Sequence, residues 1–209
     1  MHTVFRIGEI KQTEDNDRVW EVELKLANDN DPQLHVLTER IRWETKGSIG
    51  WDRLGLLLIR LQQFDKATEV YQLLLHAASN ESYQAFSYNQ LGIIKTHEGD
   101  YGEAISFHEK SLQINQKLLP QDHPILTTIN NNIGSIYITI GEYQKALLFF
   151  EKAKHIWEEI LRPNHPDLAI SYNNIASPYD KIGKYSEALP FYEKVMDIWQ
   201  KTLPPNHPD

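Results

Sequence analysis

A unit of this sequence returns every 42 residues, and a chain that repeats itself at that period has few ways to fold. His123-Pro124, His165-Pro166 and His207-Pro208 set the step, 165 − 123 = 207 − 165 = 42. The same frame carries Gly92, Gly134 and Ala176, then Gly99, Gly141 and Gly183, then Tyr101, Tyr143 and Tyr185, and then Ala104, Ala146 and Ala188. A tandem unit of this length cannot bury its apolar face alone. Units therefore stack on one another and leave a long face free for partners. The pattern points to binding before it points to chemistry.

With 209 residues the chain is long enough for a sizeable core, but stacking spreads that core along an axis, so length sets the number of units. The formal net charge of −8 and the lack of a basic stripe argue against a nucleic-acid-binding role. There is no cysteine, so a disulfide framework and a thiolate metal site are excluded, and an intracellular, cytoplasmic location is expected. Met1 to Ile10 lack the continuous apolar run of a signal peptide, and no stretch approaches a membrane span, so no membrane role is expected. Asn80-Glu81-Ser82 then matches the glycosylation pattern by chance.

The first residues read differently from the rest. Val4, Phe5, Ile7 and Ile10 form a short apolar-rich run. From Arg18 to Leu26 the chain alternates, with Trp20, Val22, Leu24 and Leu26 on one side and Val19, Glu21, Glu23 and Lys25 on the other. Glu14-Asp15-Asn16-Asp17 is turn-like, which predicts a β-hairpin over about 3–27. A lone hairpin is marginal in water, so this one should belong to a larger sheet. Asp31-Pro32 opens a predicted linking or capping helix over 31–47, closed by Lys46-Gly47.

From Ser48 the expectation is a mainly α solenoid of four helix pairs, about 48–78, 80–119, 122–161 and 164–203, with a further unit starting at 204–209. The first pair is shorter: Gly55 to Gly92 and Ala67 to Ala104 both step by 37 (92 − 55 and 104 − 67). Gly or Ala at 55, 92, 134 and 176 and Ala at 67, 104, 146 and 188 sit where paired helices approach closely, while Phe64, Tyr101, Tyr143 and Tyr185 are expected beside the turns. This pattern resembles the tetratricopeptide repeat. The 42-residue step, Asn-Asn-Ile-Gly, Asn-Asn-Ile-Ala and Pro-Asn-His-Pro-Asp-Leu are similar to the longer variant in kinesin light chains, over about 48–209.

Pro124 and Pro166 stand where a helix can open on proline, and Asp167 favours the positive helix end. Pro190 falls early in the second helix of the fourth pair, where related repeats tolerate proline. Pro178 replaces Ile136 inside a first helix, and a kink or local fraying is expected there.

In such arrays the first helix of each pair lines the concave face. Asn89, Asn131 and Asn173 share one register, and each amide offers the donor and acceptor that an extended peptide backbone needs. The alternative is that these amides bond adjacent first helices or face water. Phe86, Ile93 and His97, Thr128, Ser135 and Ile138, and Ile170, Ser177 and Lys181 lie on the same stripe and would set specificity. Arg60, His97 and Lys181 add positive character that Asp52 and Asp180 partly cancel, so a mildly acidic peptide with an apolar anchor is the expected ligand. No cofactor is implied. The His-Pro loops lie one repeat apart without close companion ligands, so they read as loop structure and not as metal sites. Trp51, Trp157 and Trp199 read as packing.

Glu21-Val22-Glu23 matches the Glu-x-Glu motif of arginine-specific mono-ADP-ribosyltransferases, but both acids fall on the polar side of the alternating strand and read as a solvated face. The wider segments Met1-His2-Thr3-Val4-Phe5-Arg6-Ile7 and Arg18-Val19-Trp20-Glu21-Val22-Glu23-Leu24 resemble the last strands of such a transferase domain, over about residues 1–30. That resemblance implies that the catalytic residues lie upstream and that this chain is an inactive fragment. The leading expectation is a non-enzymatic adaptor for a protein or peptide partner. Asn206-His207-Pro208-Asp209 begins another unit and stops, so the last pair is expected to present an open face that favours self-association.

Overall fold

The computed structural model describes residues 5–12, 20–26, 48–78 and 80–202, with side chains from residue 50 onward. The predicted linking helix over 31–47, the hairpin turn, His207 and the start of a further unit at 204–209 lie outside the described residues. The chain divides into two compact units, Met1–Ala77 and Ala78–Asp209.

The first unit contains two strands, β1 (Phe5–Gln12) and β2 (Trp20–Leu26), paired antiparallel with Phe5 opposite Leu26 and Gln12 opposite Trp20. The register slips between Ile7 and Ile10, where Gly8 and Glu9 face the single residue Glu23, as in a β-bulge. Helices α1 (Ser48–Arg60) and α2 (Phe64–Ala77) follow and pack on each other. Their turn places Gln62 at φ 57°, the register that glycine holds in the later turns.

The second unit is three helix pairs: α3 (Glu81–Glu98) with α4 (Tyr101–Leu118), α5 (Pro124–Thr139) with α6 (Tyr143–Ile160), and α7 (Pro166–Lys181) with α8 (Tyr185–Thr202). Each helix packs on the next along the chain, as in a solenoid. The tight turn within each pair is made by Gly99, Gly141 and Gly183, at φ 81°, 81° and 76°. Only this left-handed residue lets the next N–H reach back five residues, as Asp100 N–H does to Lys95 O at 2.9 Å and Glu142 N–H to Tyr137 O at 2.9 Å.

Between pairs the chain must restart a helix, and the His-Pro loops do so. His123 and His165 are the N-caps of α5 and α7, their Nδ1 atoms accepting from Ile125 N–H and Asp167 N–H at 3.2 Å, with proline at the first helical position. Asn80 caps α3 in the same manner, accepting from Ser82 N–H at 2.8 Å. The sequon asparagine is thus a helix cap.

The core runs along the stack. Leu112, Leu126, Ile129, Ile133 and Ile156 form one buried cluster, while Ala146, Leu147, Phe150 and Ile175 form a second and Leu168, Ala169, Tyr172, Val195 and Ile198 a third. Each fully buried isoleucine contributes roughly 1.5–3 kcal/mol. Ala67, Ala104, Ala146 and Ala188 are buried, as close helix approach demands.

The glycines at 55, 92 and 134 serve a related purpose. A Cβ there would lie 2.5 Å from the Tyr71 ring, 2.8 Å from the His108 ring and 2.6 Å from the Phe150 ring. Each second helix thus presses a ring onto the bare backbone of its first helix. In the last pair the register places Ala176 with Tyr192, and Tyr192 is only half-buried.

Three expectations need correction. Of the kink or fraying expected at Pro178, the fraying is absent, since helix α7 continues to Lys181, the register at which α5 ends. Pro178 sits in the last turn, where it cannot donate to the Asn174 carbonyl, and its ring is fully buried at the place of Ile136. Tyr185, expected to fill space beside a turn, is 67 % exposed. Trp157 does pack on the α7–α8 cluster, but Trp199 is half-exposed.

Candidate functional site

The amide ladder falls on α3, α5 and α7, the first helices of the three pairs in the second unit. Its members are unequal. Asn89 is half-buried, and its Oδ1 lies 3.0 Å from His108 Nδ1 on α4. Asn131 is half-buried and accepts a long hydrogen bond, 3.4 Å, from Asn174 Nδ2, which links α7 to α5. Asn173 is exposed. Two of the three amides therefore have their oxygens engaged within the fold, while their nitrogen ends remain donors.

Around them, His97, Thr128, Ser135, Ile170 and Lys181 are exposed, and Phe86, Ile93, Ile138 and Ser177 are half-buried. Ile138 leans on the cluster of Ala146, Phe150 and Ile175, so part of its side chain belongs to the core. Ser135 serves its own helix through its carbonyl, which accepts from Thr139 Oγ1 at 3.0 Å. Asp52 and Arg60 fall in the first unit, where Asp52 occupies the ladder register of the shorter pair. Burial raises the Asp52 carboxyl above its ordinary range.

His108 was not singled out by the sequence pattern. It is 1 % exposed, and burial pushes its imidazole down to about 4, so the ring is neutral at physiological pH. Because a carboxamide oxygen only accepts, His108 must carry its proton on Nδ1 and donate to Asn89. In the first pair the corresponding ring, Tyr71, donates its hydroxyl to the backbone oxygen of Asp52 at 3.3 Å. The second helix of each of these pairs thus steadies the ladder residue of the first. The signal was present in the register Tyr71, His108, Phe150 and Tyr192, where the histidine stands among rings.

Among the described residues no group of three His, Cys, Asp or Glu side chains converges as a metal site, and no helix is long and apolar enough to cross a membrane.

A family profile described as Tetratricopeptide repeat matches residues 49–117, 83–154 and 126–201, which together span most of the chain. The chain belongs to the tetratricopeptide repeat family. Among solved structures it is similar to a candidate kinesin light chain with nearly identical TPR-like repeats from Podosopora anserina, at 24 % identity and a TM-score of 0.66, over 76 % of this chain and 77 % of that one. It is also similar to BtubC (BKLC) from P. vanneervenii, at 21 % identity and a TM-score of 0.67, over 77 % and 65 %. MamA is a third such structure, at 17 % identity and a TM-score of 0.59, over 84 % and 82 %. At these identities the likeness is one of fold. No curated protein sequence matches. The repeat protein is thus mainly α, with eight described helices in the tetratricopeptide arrangement, a fold typical of protein–protein interaction scaffolds.

Proposed function

We propose that this repeat protein is a non-enzymatic scaffold that takes an extended segment of a partner protein along the first-helix faces of its second unit. The observation that carries the reading is the single register of Asn89, Asn131 and Asn173 on α3, α5 and α7, with amide donors available at a 42-residue step. Backbone carbonyls of an extended peptide are the natural acceptors for such a row. His97 and Lys181 favour an acidic segment, and Ile170, exposed beside Asn173, offers an apolar contact. A peptide array probed with the native chain and with Asn131→Ala/Asn173→Ala tests this: groove recognition requires hits that the double variant loses.

Two further elements belong to the same proposal. The α8 residues Leu189, Met196 and Trp199 are exposed and favour self-association, which sedimentation over a concentration series would reveal as a rising mass. The protein would work in the cytoplasm, in keeping with a chain that uses no cysteine. The resemblance of residues 1–30 to the end of an arginine-specific mono-ADP-ribosyltransferase rests on sequence alone. Under that second reading, NAD turnover would be absent from this chain and would appear only when an upstream domain is joined to Met1.

A further inference from the structure

The amides of the ladder are gripped from within the fold, and the grip decides what they can read. The His108 ring lies against α3 with its Cε1, Nε2 and Cδ2 edge turned to Gly92, where a Cβ would stand 2.8 Å from Nε2. That edge meets no hydrogen-bond acceptor among the described residues, and orphaned buried N–H groups are rarer than under-used acceptors. The ring proton therefore sits on Nδ1, and Asn89 Oδ1 accepts it at 3.0 Å. Asn131 is turned the same way, its Oδ1 accepting from Asn174 Nδ2 on α7 at 3.4 Å. Asn89 Nδ2 and Asn131 Nδ2 bond nothing among the described residues, and both reach solvent. At these two rungs the array presents donors outward and keeps its oxygens inward.

Spacing adds a second constraint. Helices α5 and α7 meet through Asn131 and Asn174, and α3 and α5 also touch. Helices in such contact lie roughly 8–10 Å apart, the reach of about three residues of extended chain. A β-strand repeats every two residues, so its carbonyls three residues apart point to opposite sides. A polyproline II helix repeats every three residues and rises about 3.1 Å at each, so its carbonyls at i, i+3 and i+6 share one side about 9 Å apart. A row of outward donors at this step matches the second form. Proline favours that form, offers its carbonyl oxygen, and has no N–H for which the row would need an outward acceptor.

We propose that the segment taken by the ladder is a proline-containing stretch of a partner protein in the polyproline II conformation, read through its carbonyl oxygens. The proposal rests on the ladder reading given above and names its ligand class. Asn89, Asn131 and Asn173 each donate to every third carbonyl of the segment. Phe86 and Ile93 on α3 and Ile170 on α7 share these helix faces and give the pyrrolidine rings apolar contact. His108 and Asn174 are positioning residues, holding the two carboxamides oxygen-inward without touching the segment.

The test uses the full chain with acetyl-(Pro)9-amide, its D-proline mirror image, and acetyl-(Ser-Thr-Thr)3-amide, a soluble peptide with N–H groups throughout. Side-chain NH2 resonances of the ladder are followed by 15N NMR. The expected result is saturable shifts at Asn89, Asn131 and Asn173 with the proline peptide, and binding weaker by at least about tenfold for each of the other two. Asn131→Asp keeps the oxygen that Asn174 holds and replaces the outward donor by an acceptor. It should match the native circular dichroism and bind the proline peptide about tenfold more weakly. In the free chain, the ring nitrogens of His108 should report a proton on Nδ1 and a bare Nε2. A proton on Nε2 would mean that Asn89 presents its oxygen, and would overturn the proposal without any ligand. Equal affinity for the two proline enantiomers, or an unchanged affinity in Asn131→Asp, would also overturn it. Ladder shifts from the Ser-Thr peptide at equal or higher affinity would overturn the proline reading and leave the ladder reading standing. No ladder shift with any probe would overturn the proposal, and the ladder reading falls with it only if the peptide array also yields no hit that Asn131→Ala/Asn173→Ala loses.

Discussion

His108→Phe should make the second unit resistant to mild acid. The imidazole is held near 4 in the fold, against 6.5 for the free side chain, because the α3–α4 interface excludes the charged form. Between those values the unfolded chain binds a proton that the folded chain does not, so protons favour unfolding. The contribution is fully present above pH ~6.5 and is lost as pH falls toward ~4. The whole shift corresponds to about 3 kcal/mol, most of which is lost by pH 4.5. Phenylalanine suits the site, since Phe150 occupies the same register against Gly134. Asn89 would lose its donor, but it is only half-buried, and water can replace the bond. Urea unfolding of both proteins at pH 7.5 and 4.5, followed by circular dichroism, gives the two differences. The variant should lose about 2–3 kcal/mol less than the native chain on acidification. Equal losses, or a His108 imidazole that titrates near 6.5 by NMR, would refute the reasoning.

Other substitutions probe the packing more directly. Gly134→Val places a branched side chain where even a Cβ would be 2.6 Å from the Phe150 ring, and should lower the urea midpoint by the equivalent of ~2 kcal/mol; an unchanged midpoint would remove the close-approach argument. Gln62→Gly relieves the left-handed residue of the first turn, and should raise the thermal midpoint of the first helix pair by the equivalent of roughly 0.5–1 kcal/mol, as read by differential scanning calorimetry. Tyr172 is pushed up to about 12 by burial, with the Glu158 hydrogen bond and charge adding to it. Tyr172→Phe should cost about 1 kcal/mol at neutral pH in the same urea assay, and no loss would mean that water serves Glu158 equally well.

Helix pairing was legible because the sequence marks it in side-chain size. Gly99, Gly141 and Gly183 announce turns that need φ near 80°, and Ala104, Ala146 and Ala188 announce close contacts; both kinds of mark depend on one residue and its immediate backbone. The His-Pro segments were legible as helix starts for the same local reason, although the capping role of the imidazole came from the structure. The fraying expected at Pro178 does not occur, because its ring is buried at the place of Ile136 and holds the last turn, a tertiary contact the local sequence does not show. The partners of the ladder were not legible, since Asn89 meets His108 across two helices and Asn131 meets Asn174 across two pairs.

Peptide binding by the ladder is the central claim, and isothermal titration of one array-derived peptide into the native chain and into Asn131→Ala/Asn173→Ala tests it most directly. The account predicts affinity reduced at least tenfold in the double variant, with circular dichroism and the urea midpoint close to native, since each lost backbone hydrogen bond is worth about 1 kcal/mol. Equal affinity for both proteins, with the fold intact, would contradict it.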